Sequence, residues 1–387
     1  MVITAGRTAQ LDRLDAEVAR LADLARGAPA PEHVAAAAHE RTVVATLQLD
    51  GSPIRELPDH LDVPAGGGDR WASGTASASA SGTAPGAPGS TSASGTAPGA
   101  PGATSRSRVE PAYGQPSSWY TSFELLADAP DEAIIALEAS GVASAYASAD
   151  LVPKLAEQPL TALGELQRRL THGLLDPVLA GAPRTTDQAV QDTTIGRVVY
   201  AAVDPAEIAG ELERLAAWMA GAATRLPPLH AAGLLHLELL RIHPFEAANG
   251  RLARVAARLW LRRGDLDPHG LAVAEAELAT DRLGYHEEVA ATLRRRDAGI
   301  WLERWAEAVA AGLRRSVREA GWLEIEPPRR ARAFLAEHRS GDTFTVADYR
   351  THLRGDVAVA DADLGRLVDA GAVTRVPGSR GLRFTVA

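Results

Sequence analysis

The residues best suited to chemistry lie between Pro227 and Gly264. His243 stands directly before Pro244, followed by Asn249, Gly250 and Arg251, with Arg254 one helical turn further on. A histidine at a helix end can take the proton of an incoming hydroxyl. An amide, a glycine that permits close approach and two guanidiniums at a helix start make a cradle for phosphate. Together they describe transfer of a phosphate-containing group to a hydroxyl, driven by positioning and charge stabilisation. The bland alternative is that Arg251, Arg254, Arg258 and Arg262 form a solvated stripe. Against it, arginine in a first helical turn costs a few tenths to about 1 kcal/mol unless an anion sits there.

The elements that must hold these groups can be read from the same stretch. Pro227-Pro228 opens a helix running from Leu229 to Ile242, with Ala232, Leu235 and Leu239 on its apolar face. Pro244 removes His243 from the α region and ends that helix. A tight loop, Phe245 to Gly250, leads to a second helix. Leu252, Val255, Ala256, Leu259 and Trp260 fall at core spacing there, and Gly264 closes it.

The run HPFEAANGRLAR, His243 to Arg254, resembles the Fic (Fido) family signature H-P-F-x-[DE]-G-N-G-R-x-x-R. Ile242 directly before it and His236 seven residues upstream add to the likeness, which covers roughly residues 163–311 and the N-terminal helices. The resemblance implies a mainly α protein, a Fic-type helical core with a small β-hairpin flap. It implies AMP transfer from ATP to a Ser, Thr or Tyr hydroxyl of a target protein. On that reading His243 is the base and Phe245 a buried anchor. Asn249, Gly250 and Arg251 hold the α- and β-phosphates, and Arg254 holds the γ-phosphate. The short stretch from Ile195 to Val203 becomes the flap that aligns the target by main-chain pairing, and Tyr285 stands near the adenine.

Two positions depart from the signature. Ala247 replaces the acid that holds Mg²⁺ in the family, and Ala248 replaces the following glycine. Glu246 comes one position early, and in a tight loop one residue turns a side chain elsewhere. The metal ligand is therefore unknown, although magnesium needs only one or two carboxylates. Two readings stay open: a Fic-type protein adenylyltransferase, or a degenerate Fic fold acting as a nucleotide-binding or winged-helix regulatory module. Thr46-Leu47-Gln48-Leu49-Asp50-Gly51 is similar to the family's inhibitory helix, [ST]-x-x-x-E-[GN], with Asp50 for glutamate. The resemblance pairs Asp50 with Arg254; the plain reading is a helix ending at Asp-Gly.

Composition narrows the rest. Among 387 residues there is no cysteine, which excludes disulfide scaffolds, thiolate metal sites and a cysteine nucleophile. Lys154 is the only lysine and Asn249 the only asparagine. The first twenty residues have no signal-type apolar core, and no apolar run reaches membrane-spanning length, so a cytoplasmic protein without membrane contact is expected. A net charge of -9 argues against coating nucleic acid by bulk charge.

Four regions are expected. Residues 1–65 carry two helices, the first with Leu11, Leu14, Val18, Leu21 and Leu24 on one face, the second from about Pro31 to Leu49. Neither buries its stripe alone, so both should dock on the helices beyond the linker. Residues 66–116 are rich in Gly, Ala, Ser, Thr and Pro, with SGTAPGAPG twice, and read as a disordered linker. Residues 117–325 form the Fic core, with 193–203 as a strand or hairpin. Residues 327–387 read as helix, helix, helix and hairpin, a winged helix-turn-helix. Its ten arginines against seven acids make DNA a weak candidate partner beside a protein or the chain itself, because Asp361 and Asp363 would face phosphate. His230, His236 and His243, six and seven apart, do not match metal-ligand pairs. Trp301 and Trp305 read as core.

Overall fold

A computed structural model of the chain describes residues 8–27, 29–52, 54–57, 108–111, 131–192, 197–322, 328–353, 357–376 and 383–387. The two central helices are α7 (Pro228–Ile242) and α8 (Asn249–Arg263), which pack antiparallel through the loop that carries the motif. Pro228 occupies the first turn of α7, where a missing N–H costs nothing. Both helices are buried nearly all round and form the centre of the molecule, α7 mostly among apolar side chains and α8 with a row of arginines on one face.

The N-terminal helices are part of this body. α1 (Ala9–Arg26) starts at Thr8, whose hydroxyl accepts from the Leu11 N–H, and it buries Leu11, Leu14, Val18 and Leu21. It lies along α11 (Gly299–Glu319). α2 (Glu32–Leu49) packs on α3 (Asp131–Tyr146) and on α9 (Ala274–Thr280). One apolar cluster runs from Leu11 to Val317, so α1 and α2 share a single interior with the helices that follow. Around it stand α4 (Lys154–Glu157), α5 (Pro159–Leu170), α6 (Pro205–Ala220) and α10 (Arg282–Arg295). No helix among the described residues is long and apolar enough to cross a membrane.

The small sheet differs from expectation in two ways. Its hairpin is β2 (Gln188–Asp192) and β3 (Arg197–Ala201), antiparallel, so the first strand precedes the stretch read as β from sequence. Residues 193–196 lie outside the described residues. The second difference corrects the linker. Residues 108–111 form β1 (Arg108–Pro111), which pairs in parallel with β2. Here the composition leaves the Gly/Ala/Ser/Pro bias, and the free edge of β2 offers unpaired main-chain groups. The remainder of 66–116 lies outside the described residues.

The C-terminal region has its own apolar cluster, built on Phe334, Phe344, Tyr349, Leu364, Leu367 and Phe384. Its order is α12 (Arg329–Ala336), β4 (Thr343–Thr345), α13 (Val346–Leu353), α14 (Val357–Asp369), β5 (Val373–Arg375) and β6 (Arg383–Val386). The antiparallel sheet runs β4-β6-β5, and β4 is a strand the sequence reading lacked. Asp363, expected to face outward, is instead 1% exposed and fixed by Arg330 and by the Tyr349 hydroxyl at 2.9 Å.

Candidate active site

His243 caps α7 in the left-handed conformation, φ 51° and ψ 59°, directly before Pro244. Both features are costly for a residue with a Cβ, so the corner must be held from outside. Most of the hold comes from the segment leading into β2. Pro183 bridges to Phe245, and the Arg184 N–H donates to the Pro244 carbonyl at 2.9 Å. The buried Arg184 guanidinium donates from Nε to the His243 carbonyl (2.6 Å) and from Nη2 to that of Ile242 (3.4 Å). It also reaches the Thr186 carbonyl from Nη1 (2.5 Å) and the Val203 carbonyl from Nη2. A cation among the last carbonyls of a helix is favoured by the helix dipole. The His243 ring, 2% exposed, places Nδ1 3.3 Å from the Leu240 carbonyl. Protonation of Nδ1 for that contact assigns the lone pair to Nε2.

Glu246 belongs to the same lacing. Its carboxylate accepts from the Thr185 N–H (3.0 Å) and the Thr186 hydroxyl (2.7 Å), and its carbonyl accepts from Gln188 (3.0 Å). It therefore points at the hairpin's foot. Ala247 is fully buried against Ile134, Leu174 and Leu175. The motif loop thus offers no carboxylate to a magnesium ion, and the residues present do not fit that metal in the family's manner. Ala248 takes φ 63°, a left-handed conformation that costs a non-glycine residue about 1–2 kcal/mol. This is the physical reason the signature has glycine there.

Asn249 is at 0% exposure, and its amide closes the loop. Oδ1 accepts from the Phe245 N–H (3.0 Å) and Nδ2 donates to the Phe245 carbonyl (2.7 Å). In this structure the amide therefore shapes the loop that the resemblance implies as a phosphate cradle. Phe245 is a buried anchor, as read from sequence.

The arginines are not a solvated stripe. Arg251, Arg254 and Arg258 are 5%, 1% and 3% exposed. Asp50, at the end of α2, receives Arg251 Nε on one oxygen (2.7 Å) and Arg254 Nη2 on the other (2.5 Å). Arg254 also donates to the Thr46 carbonyl at 3.1 Å. Asp50 thus bridges both cradle arginines, where the resemblance implied only one. Burial would raise its carboxyl, but the guanidiniums of Arg254 and Arg251 outweigh that and hold it below the usual range. Gly51 follows at φ 93°, and its left-handed turn ends α2 where Asp-Gly predicted. Gly250 leaves room for this contact, since a Cβ there would sit 3.4 Å from Asp50 Oδ1 and 3.3 Å from Arg254 Nη1.

Sequence reasoning missed Glu138 as well as Arg184. Glu138 on α3, 2% exposed, accepts from Arg251 Nη2 at 2.5 Å. Glu275 and Asp267, both fully buried, bind Arg258. Tyr146 joins Thr46 (3.1 Å) to Glu275 (2.9 Å). No spacing signal marks these residues, because each partner comes from a separate element.

Tyr285 lies on the inner side of the cradle. Its ring is 1% exposed in a cluster with His236, Trp301 and Trp305, and its hydroxyl lies 3.0 Å from His236 Nε2. It is packed in the core directly beneath the cradle. Burial, helped by Arg254, keeps His236 neutral by lowering its pKa well below the usual value. His230 pairs with Asp15 at 2.9 Å, so the three α7 histidines serve three separate partners.

The segment that carries this loop is similar to known proteins. The protein adenylyltransferase fic-1 of Caenorhabditis elegans is 32% identical over 105 residues, 27% of this chain and 19% of that protein. The protein adenylyltransferase Fic of Drosophila grimshawi is 32% identical over 128 residues, 33% of this chain and 25% of that protein. The match thus spans about a fifth to a quarter of those relatives' length. A Fic family protein from Desulfovibrio desulfuricans shares the fold, with TM-score 0.54 at 16% identity, covering 99% of this chain and 97% of that one. The Fic/DOC family model matches residues 158–261, and the chain carries a Fic/DOC domain there, with the loop from His243 to Arg254 inside it.

Proposed function

We propose that the protein transfers AMP from ATP to a hydroxyl side chain of a target protein, and that the structure is the closed state of that site. The observation that carries this reading is Asp50: a carboxylate already sits across the two arginines at the positive end of α8. The same place suits phosphate oxygens. Ala248 supplies no side-chain cap to the first turn of α8, and Arg254 Nε is buried without a partner among the described residues. An anion there satisfies both.

In the step itself the target oxygen attacks the α-phosphorus, its proton passes to His243 Nε2, and the bond to the β-phosphate breaks as pyrophosphate leaves. Arg251 and Arg254 stabilise the charge that develops on the phosphates. The β2–β3 hairpin, laced to His243 through Arg184 and Glu246, presents the target. Asp50 competes with ATP for the arginines and so acts as an inhibitory acid, with Thr46 supporting it through its carbonyl. No step runs through a loop carboxylate, because Glu246 is bound at the hairpin's foot and Ala247 has none.

A second reading has its own support. Ala247 packed against Ile134, Leu174 and Leu175 favours a fold that binds nucleotide without turnover. The C-terminal region then carries the output as a winged-helix module, toward a protein or DNA. Labelled ATP with candidate target proteins separates the two. Adenylyl transfer predicts label on protein with Asp50→Gly, less with the native chain and none with Asp50→Gly/His243→Ala. Saturable ATP binding with no label in any variant supports the second reading.

A further inference from the structure

Outside the phosphate cradle, the buried Arg184 stands apart by its choice of partners. It is 2% exposed, and four of its acceptors are main-chain carbonyls from three places. Two, Ile242 and His243, end α7. Thr186 precedes β2 and Val203 follows β3, so these two are the feet of the hairpin. A planar guanidinium with five fixed donors can join such a set, and an ammonium cannot reproduce the fork.

The join has a consequence for the base. His243 occupies a left-handed conformation before proline, which its own sequence disfavours. A relaxed corner would turn the ring and lose the Nδ1 contact with the Leu240 carbonyl that leaves Nε2 as the basic atom. Bonds to the His243 and Ile242 carbonyls oppose that relaxation. Bonds to the hairpin feet fix the target-presenting element to the same guanidinium.

We propose that Arg184 is a positioning residue for His243, clamping the base's strained backbone and its tautomer to the feet of the β2–β3 hairpin. The hairpin and the base then move as one unit, and a target seated on the hairpin meets Nε2 at a fixed offset. This rests on the adenylyl-transfer reading for its kinetic part, but not for its geometric part. Arg184 touches no reacting atom; it acts through His243.

The test uses the full chain carrying Asp50→Gly, with Arg184→Ala or Arg184→Lys added. Side-chain nitrogen shifts of His243, assigned by difference from His243→Ala, report the tautomer whether or not transfer occurs. The expectation is one Nδ1-protonated form with Arg184 and a tautomer mixture in both variants. In transfer assays kcat falls about a hundredfold, the scale expected for a misplaced catalytic group, while KM for ATP stays within about twofold. Lysine does not rescue, and added methylguanidinium restores part of kcat to Arg184→Ala. If the alanine variant does not fold, the lysine variant carries both readouts. An unchanged His243 tautomer in a folded variant overturns the proposal. So does full rescue by lysine, which reduces Arg184 to a helix-end charge. Absence of transfer in Asp50→Gly itself refutes the functional reading alone, and the nitrogen shifts still decide Arg184.

Discussion

Arg254 and Arg258 lie one turn apart on α8, both buried, yet their surroundings differ in kind. Arg258 uses all three nitrogens: Nη1 reaches Glu275 (2.6 Å), Nε and Nη2 reach Asp267, and Nη2 also reaches the Gly270 carbonyl. Those acids come from the segment directly after α8 and from α9, and both are at 0% exposure. Arg254 is held by one carboxylate, Asp50, which is a quarter exposed and comes from α2, some two hundred residues earlier. Its Nε has no partner among the described residues. A closed network makes Arg258 structural. Borrowed and incomplete pairing leaves Arg254 with a buried donor to spare, as the proposed nucleotide role requires.

The largest effect should separate these two on stability. Arg258→Ala leaves Glu275 and Asp267 buried without their cation and should cost about 3–5 kcal/mol, read by denaturant unfolding. Arg254→Ala should cost clearly less and abolish ATP binding instead. Equal losses in the two variants would erase the distinction.

Ala247→Asp comes next. The side chain enters the pocket of Ile134, Leu174 and Leu175, so a carboxylate there should cost roughly several kcal/mol without creating a magnesium site. Enhanced transfer from a normally stable variant would show that the loop can turn this residue toward the cradle.

Acid sharpens the contrast through histidines beside the arginine turns. Burial lowers His39 to about 4, helped by Arg258 and Arg262; burial likewise lowers His286 to about 4, against the raising effect of its bond to the Leu49 carbonyl. Both depressed values mean that the unfolded chain takes up protons first. Stability should therefore fall as pH drops from about 6.5 toward about 4, and melting followed across that range checks it. His39→Gln should flatten the fall. The smallest effect is Ala248→Gly, which relieves a left-handed alanine and should stabilise by about 1 kcal/mol.

Much of the architecture was legible because it is local. Period and proline placed α7 and α8, Asp-Gly ended α2, and the aromatic pair Trp301 and Trp305 is core. The resemblance also gave the pairing of Asp50 with Arg254. What stayed hidden was of two kinds. Arg184 binds main-chain carbonyls, which carry no residue identity to match. Glu138, Glu275 and Asp267 meet their arginines across separate elements. The only sequence hint was excess: arginines every three or four residues along α8 need anions somewhere. The internal bonds of Asn249 and Tyr285 were not legible either, because a polar group near a ligand site can equally well complete the loop or the core. Satisfied bonds decide which, and these only the packed structure displays.

The functional reading rests on Asp50 occupying the place of the nucleotide's phosphates. Calorimetric titration of ATP into the native chain, Asp50→Ala and Asp50→Ala/Arg254→Ala measures this directly. Asp50→Ala should bind ATP at least about tenfold more tightly than the native chain, a gain of about 1.4 kcal/mol, and the double variant should lose it. Equal affinity in the native chain and Asp50→Ala would mean that Asp50 and the phosphates do not share the site.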